Sequence, residues 1–102
     1  MRRSTVVDRI ANLMKLNFPE VETILYGSEA RGTARTDSDI DLLMLLPNEE
    51  PSIELKQRIN DSMYDIELEK LVSISTVFFS KREWGKRRTP FYINVTNEGI
   101  RL

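Results

Sequence analysis

Residues 24–46 read ILYGSEARGTARTDSDIDLLMLL, and the way this stretch passes from apolar to polar and back decides the fold. Ile24 and Leu25 are apolar, Gly27-Ser28 breaks the run, a polar loop follows, and Asp39-Ile40-Asp41 opens a second apolar run ending at Leu46. A strand sends successive side chains to opposite faces, so Asp39 and Asp41 point one way while Ile40 and Leu42 point the other. From Leu42 to Leu46 both faces are apolar, the pattern of a strand inside a sheet. Two carboxylates at the mouth of a buried strand repel each other and lose solvation. They require a compensating cation, or one of them must protonate. A divalent cation held by oxygen ligands meets that need; Arg31 or Arg35 would meet it without a metal.

The other half of the stretch is a candidate phosphate site. Gly27 lets the backbone turn sharply and approach a ligand closely. Ser28 has the residue type of a helix N-cap, with Glu29-Ala30-Arg31 as a short first turn whose amides suit phosphate oxygens. Alone, Gly-Ser is usually a turn and Asp-x-Asp a solvated loop. Joined, with Asp39 eleven positions after Ser28 and apolar strands on either side, they set phosphates and metal side by side. That is the equipment of phosphoryl or nucleotidyl transfer.

Composition narrows the chemistry further. With 102 residues the chain is expected to form one domain, residues 1–102. Its net charge of −1 gives no global nucleic-acid signal. No window approaches a membrane span, and the N-terminus lacks the apolar core of a signal peptide, so a cytoplasmic location is expected. The chain has no cysteine and no histidine, which excludes disulfides, thiol nucleophiles and histidine general bases. Carboxylates with a hard metal survive that filter; serine–histidine hydrolysis does not.

The flanking segments read as scaffold. Ser4 to about Asn17 has the spacing of a helix (Val6, Ile10, Leu13, Met14), stopped by Pro19. A strand is expected over Val21 to Tyr26, and Pro47 to Pro51 reads as an exposed connection. Ser52 caps a second helix running to about Lys70, with Leu55, Ile59, Met63 and Ile66 inward. The run YDIELEKL at its end also fits the start of a strand. Val72 to Ser80 alternates as a third strand, with Ser73, Ser75, Val77 and Phe79 on one face. Five of the eight residues in KREWGKRR (81–88) are basic: a solvated connection, a patch for an acidic partner, or a contact to a triphosphate tail. Trp84 beside them is expected to join the core. Thr89-Pro90 then begins a short helix that stops at Gly99.

Gly27-Ser28-Glu29-Ala30-Arg31-Gly32 followed by Ser38-Asp39-Ile40-Asp41-Leu42 resembles the signature of the minimal nucleotidyltransferases, the MNT branch of the DNA polymerase β superfamily. The resemblance implies an α/β (α+β) polymerase β-like fold, a small mixed sheet flanked by helices. It implies Mg²⁺, or Mn²⁺, and ATP or another nucleoside triphosphate. It carries catalytic and metal-binding roles to Asp39 and Asp41, and nucleotide-binding roles to Gly27, Ser28, Arg31 and Ser38. Many members are antitoxins paired with HEPN-type toxins, some of which they modify with adenylate, so a HEPN-type protein is the implied partner; a homo-oligomer is a further option. The family normally brings a third carboxylate to the metal from the third strand, about where Ser73 or Ser75 stands. Glu67 and Glu69 are the nearby substitutes. Without one, the competing reading is a nucleotide- or partner-binding module of the same fold.

Overall fold

The computed structural model describes residues 4–47 and 52–102. The element order is α1 (Ser4–Asn17), β1 (Glu22–Tyr26), α2 (Gly27–Arg31), β2 (Ile40–Leu46), α3 (Ile53–Lys70), β3 (Ile74–Ser80), α4 (Pro90–Glu98) and β4 (Ile100–Arg101). Four strands form one mixed sheet in the order β3-β2-β1-β4. β2 pairs antiparallel with β1 and parallel with β3, the latter after a crossover through α3, and β4 adds antiparallel to β1. This is the expected mixed sheet flanked by helices. Asn48 to Pro51 of the expected connection lie outside the described residues; Pro47 is exposed at a bend.

β2 owes its central place to composition. Leu42 to Leu46 are all buried, with strands on both sides and side chains packed on both faces. On one face Ile40, Leu42, Met44 and Leu46 meet α1 (Val6, Val7, Ile10, Leu13, Met14) and α3 (Ile59, Met63, Ile66). On the other, Leu43 and Leu45 meet Val95 of α4, with Ile24, Tyr26, Val77, Trp84 and Phe91 around them. Trp84 therefore completes this second cluster, as expected. Asp41 belongs to the second face, so the acids stand on the α4 side.

Three boundaries differ from the sequence expectation. The first strand begins at Glu22, one residue late. The run YDIELEKL is helical through Lys70, and the third strand starts at Ile74 instead of Val72. The reason is local: Leu71 takes a left-handed φ of 55° that closes α3, and the Glu67 carboxylate accepts the Ile74 N–H at 3.0 Å. Third, Ser28 is not an N-cap. β1 runs straight into α2, so Tyr26 occupies the cap position without a side-chain cap bond, and Ser28 lies inside the first turn.

The expected caps of α3 and α4 do form. Ser52 accepts from Leu55 N–H and Thr89 from Tyr92 N–H, with Pro90 at the first helical position. Thr89→Ala should cost about 1 kcal/mol, a melting-temperature drop of about 4–8 °C for a domain of this size, read by thermal unfolding.

Candidate functional site

The site is a seam between strands. Residue 26 of β1 lies opposite residue 41 of β2. Gly27, one step further, turns out of the sheet with φ +75°. A Cβ at Gly27 would sit 2.4 Å from Oδ2 of Asp41. The Asp41 carboxylate therefore stands directly over the Gly27 backbone, which is the adjacency of carboxylate and glycine corner expected from sequence. Asp39, exposed, precedes β2; Asp41 is half-buried within its first turn of chain.

Negative charge is concentrated there, and Arg31 offsets only part of its effect. Burial lifts the Asp41 carboxyl above its ordinary value; the Asp39 charge lifts it further, and the Arg31 guanidinium offsets part of the rise. Burial also lifts the Tyr26 phenol, with the Asp41 charge opposite it adding to the effect. Neither Asp39 nor Asp41 forms an ion pair among the described residues. Arg31 instead bridges Glu98 of α4 at 3.0 Å, which fastens α2 to α4 while its charge still reaches Asp41. Ser38 closes a tight turn: its Oγ accepts Arg35 N–H and its N–H donates to Arg35 O, each at 3.0 Å. Asp39 directly follows that turn. An open groove of about 440 Å³ continues from this loop along Leu68, Leu71, Val72 and Ser73.

Sequence reasoning missed three contributors. Tyr26 was read only as strand, although hairpin register places it beside Asp41. Glu29 is fully buried, in a five-residue helix where nothing in the pattern signals burial of a charge. Glu98, which holds Arg31, is far away in the chain.

The profile of the family described as nucleotidyltransferase domain matches residues 7–102. The chain belongs to that family. A structure described as a minimal nucleotidyltransferase superposes over 100% of this chain and 97% of its own, with TM-score 0.67 and 28% identity. Two toxin–antitoxin structures share the fold at 19% identity. One, solved with AMP-PNP, covers 92% of this chain and 69% of its own (TM-score 0.64). The other, a mutant of the MntA–HpeT pair, covers 94% and 70% (TM-score 0.61). Comparison with curated protein sequences finds no match.

Two oxygen donors, one of them with a carboxyl lifted by burial and by its neighbour, suit a hard divalent ion. They fit, but among the described residues no three acidic side chains gather into one metal site. Ser75 is the strand neighbour of Asp41 across the parallel β2–β3 pair, so it holds the position expected of a third carboxylate. Ser73 lies one step out, its carbonyl accepting Ile40 N–H. Glu67 accepts the Ile74 amide and Glu69 pairs with Arg9. Ser75→Asp should tighten Mg²⁺ binding, measured by calorimetry with and without ATP, and should lower the stability of the metal-free protein by adding a third like charge.

Proposed function

We propose that this nucleotidyltransferase domain moves AMP from ATP to a hydroxyl group on a partner protein, and that it serves as the antitoxin of a HEPN-type toxin. The observation that carries the reading is the Asp41 carboxylate seated over Gly27 with Asp39 two residues away. Asp39 and Asp41 would hold Mg²⁺, or Mn²⁺, with phosphate oxygens and water filling the remaining positions. Such an ion neutralises charge at the reacting phosphate and lowers the pKa of a coordinated hydroxyl. Gly27 and Ser28 offer the open start of α2 to the β- and γ-phosphates, Arg31 adds positive charge beside them, and Ser38 keeps the loop that presents Asp39. The acceptor oxygen attacks the α-phosphorus, the bond to the bridging oxygen breaks, and pyrophosphate leaves. Catalysis of this kind is mostly positioning and charge neutralisation.

The partner is inferred from size and kinship. A sheet of four strands with the site on its rim leaves little room for an enclosed acceptor pocket, so the acceptor is presented by a second protein. Two relatives in fold are toxin–antitoxin pairs. A cytoplasmic setting, where ATP and Mg²⁺ are at hand, suits the reading. Serine at Ser73 and Ser75 favours a second reading, a binding module that keeps the nucleotide and has lost the transfer. Incubation with labelled ATP, Mg²⁺ or Mn²⁺ and a HEPN-type protein separates the two. Label on the partner that disappears in Asp39→Asn establishes transfer; Mg²⁺-dependent ATP binding without label on the partner establishes the module and overturns the enzyme.

A further inference from the structure

We propose that Glu98 is a positioning residue for the carboxylate site: by holding Arg31 from α4, it keeps that guanidinium off Asp39 and Asp41 and leaves both acids free for a divalent cation. The metal half of this rests on the proposed function; the place of Arg31 does not. Arg31 lies one helical turn after Gly27 along α2, on the same side of the helix. The Asp41 carboxylate stands over Gly27. A side chain as long as that of arginine, rooted one turn further on, therefore reaches Asp41, and its charge is felt there. Asp41, with Asp39 two residues before it, and Glu98 thus compete for one guanidinium. Coulomb's law alone favours the two neighbouring acids over the single one. The fold decides the other way. Arg31 Nη1 donates to Glu98 Oε1 at 3.0 Å, and neither Asp39 nor Asp41 has an ion pair among the described residues.

Two observations separate this pair from an ordinary surface brace. Glu98 is the last residue of α4, where an acid opposes the helix dipole, so the stability of α4 does not explain it. The two side chains are 49% and 29% exposed, and ion pairs so exposed contribute little to stability. What holds the pair together is the backbone beneath it. Gly99 follows Glu98, donates its N–H to Val95 O, and has Val95 and Ile24 where a Cβ would go, so the chain turns tightly from α4 into β4. β4 is fixed on β1 by the pairing of Ile100 with Leu25 and Arg101 with Ile24. β1 in turn runs straight into α2. Acid and base are therefore carried by two elements anchored on the same strand.

The consequence for the site is a division of labour among charges. A guanidinium has five N–H donors, and the bond to Glu98 uses one of them, leaving others for phosphate oxygens. Glu98 thus keeps Arg31 as a donor to phosphate and not as the counter-ion of Asp41. Without Glu98, Arg31 turns to the two acids, and a metal ion must displace it before it can bind.

Mn²⁺ titrated into nucleotide-free protein, followed by its paramagnetic resonance, tests this. Glu98→Ala should weaken Mn²⁺ binding about tenfold or more, since an opposite charge close to a carboxylate changes its proton affinity by about one to three decades. Arg31→Met should bind Mn²⁺ at least as tightly as wild type, and adding Glu98→Ala to it should change nothing. That dependence on Arg31 is what an acid serving only to brace α4 would not show. If the alanine variant folds poorly, Glu98→Gln, which keeps the shape and drops the charge, gives the same comparison. Urea unfolding of the metal-free protein at neutral pH is a second readout. Asp41→Asn should stabilise the chain when Glu98 is present, by relieving burial and the repulsion from Asp39. It should lose that gain in Glu98→Ala, where Arg31 has become the partner of Asp41. Unchanged Mn²⁺ affinity in Glu98→Ala, an equal loss in the Arg31→Met background, or the same gain from Asp41→Asn with and without Glu98 overturns the proposal. Wild type whose Mn²⁺ uptake is insensitive to Asp39→Asn counts against the proposed function, and the unfolding readout still decides where Arg31 goes.

Discussion

Asp41→Asn should raise the melting temperature of the metal-free protein while cutting nucleotidyl transfer on the order of 10²–10³-fold, the loss typical of removing one preorganised electrostatic group. Both halves follow from one cause. The Asp41 carboxyl is lifted in the fold by burial and by Asp39, with Arg31 offsetting only part. The unfolded chain gives up the same proton at the ordinary carboxylate pKa. Stability from this group is therefore fully present below that ordinary value and is lost as pH rises through the lifted folded value. Asparagine keeps the shape and removes the titration. Thermal unfolding from pH 3 to pH 8 should show, in wild type, an added fall that begins above the ordinary carboxylate value, ends once the lifted folded value is passed, and is absent in the variant; added Mg²⁺ should stabilise wild type alone. A variant less stable than wild type at neutral pH would mean that Asp41 is held by a partner, and the metal reading would fail. A functional acid that weakens its own fold is the expected trade of stability for activity.

Gly27→Ala should damage both the fold and the site. Its left-handed φ of +75° costs an L-residue about 1–2 kcal/mol. The added Cβ would also lie 2.4 Å from Asp41 Oδ2. Gly32 is the control: its φ is +77°, yet nothing lies within 4 Å of a Cβ there. Gly32→Ala should show the backbone cost alone, whereas Gly27→Ala should lose more stability and all measurable ATP–Mg²⁺ binding by calorimetry. In Gly27→Ala combined with Asp41→Ala the clash disappears, so part of the stability should return without any activity. Equal losses at the two glycines would show that the carboxylate does not stand where the geometry places it.

The site was legible because its chemistry is local. Gly27, Ser28, Asp39 and Asp41 fall within fifteen positions and bracket a single loop, so strand alternation and one turn were enough to predict their meeting. The absence of histidine and cysteine removed most rival chemistries. The resemblance implied a third carboxylate about where Ser73 or Ser75 stands, alternation put both serines on one face of β3, and the strand register sets Ser75 beside Asp41. Ser28 as a cap did not hold, because β1 enters α2 without an intervening residue and the cap position falls to Tyr26. Arg31 was read as a nucleotide contact; the fold also gives it Glu98, sixty-seven residues away.

By itself the sequence determined the elements, the inward faces of α1, α3 and β2, and the pairing of a glycine corner with two acids, since each depends on neighbours within a few turns of chain. Only the tertiary structure decided which elements touch. It set β3 parallel to β2 so that Ser75 meets Asp41, buried Glu29, tied Arg31 to α4 and left β3 at the edge of the sheet. Those outcomes depend on long-range packing and hydrogen-bond register, which periodicity along a single strand does not encode.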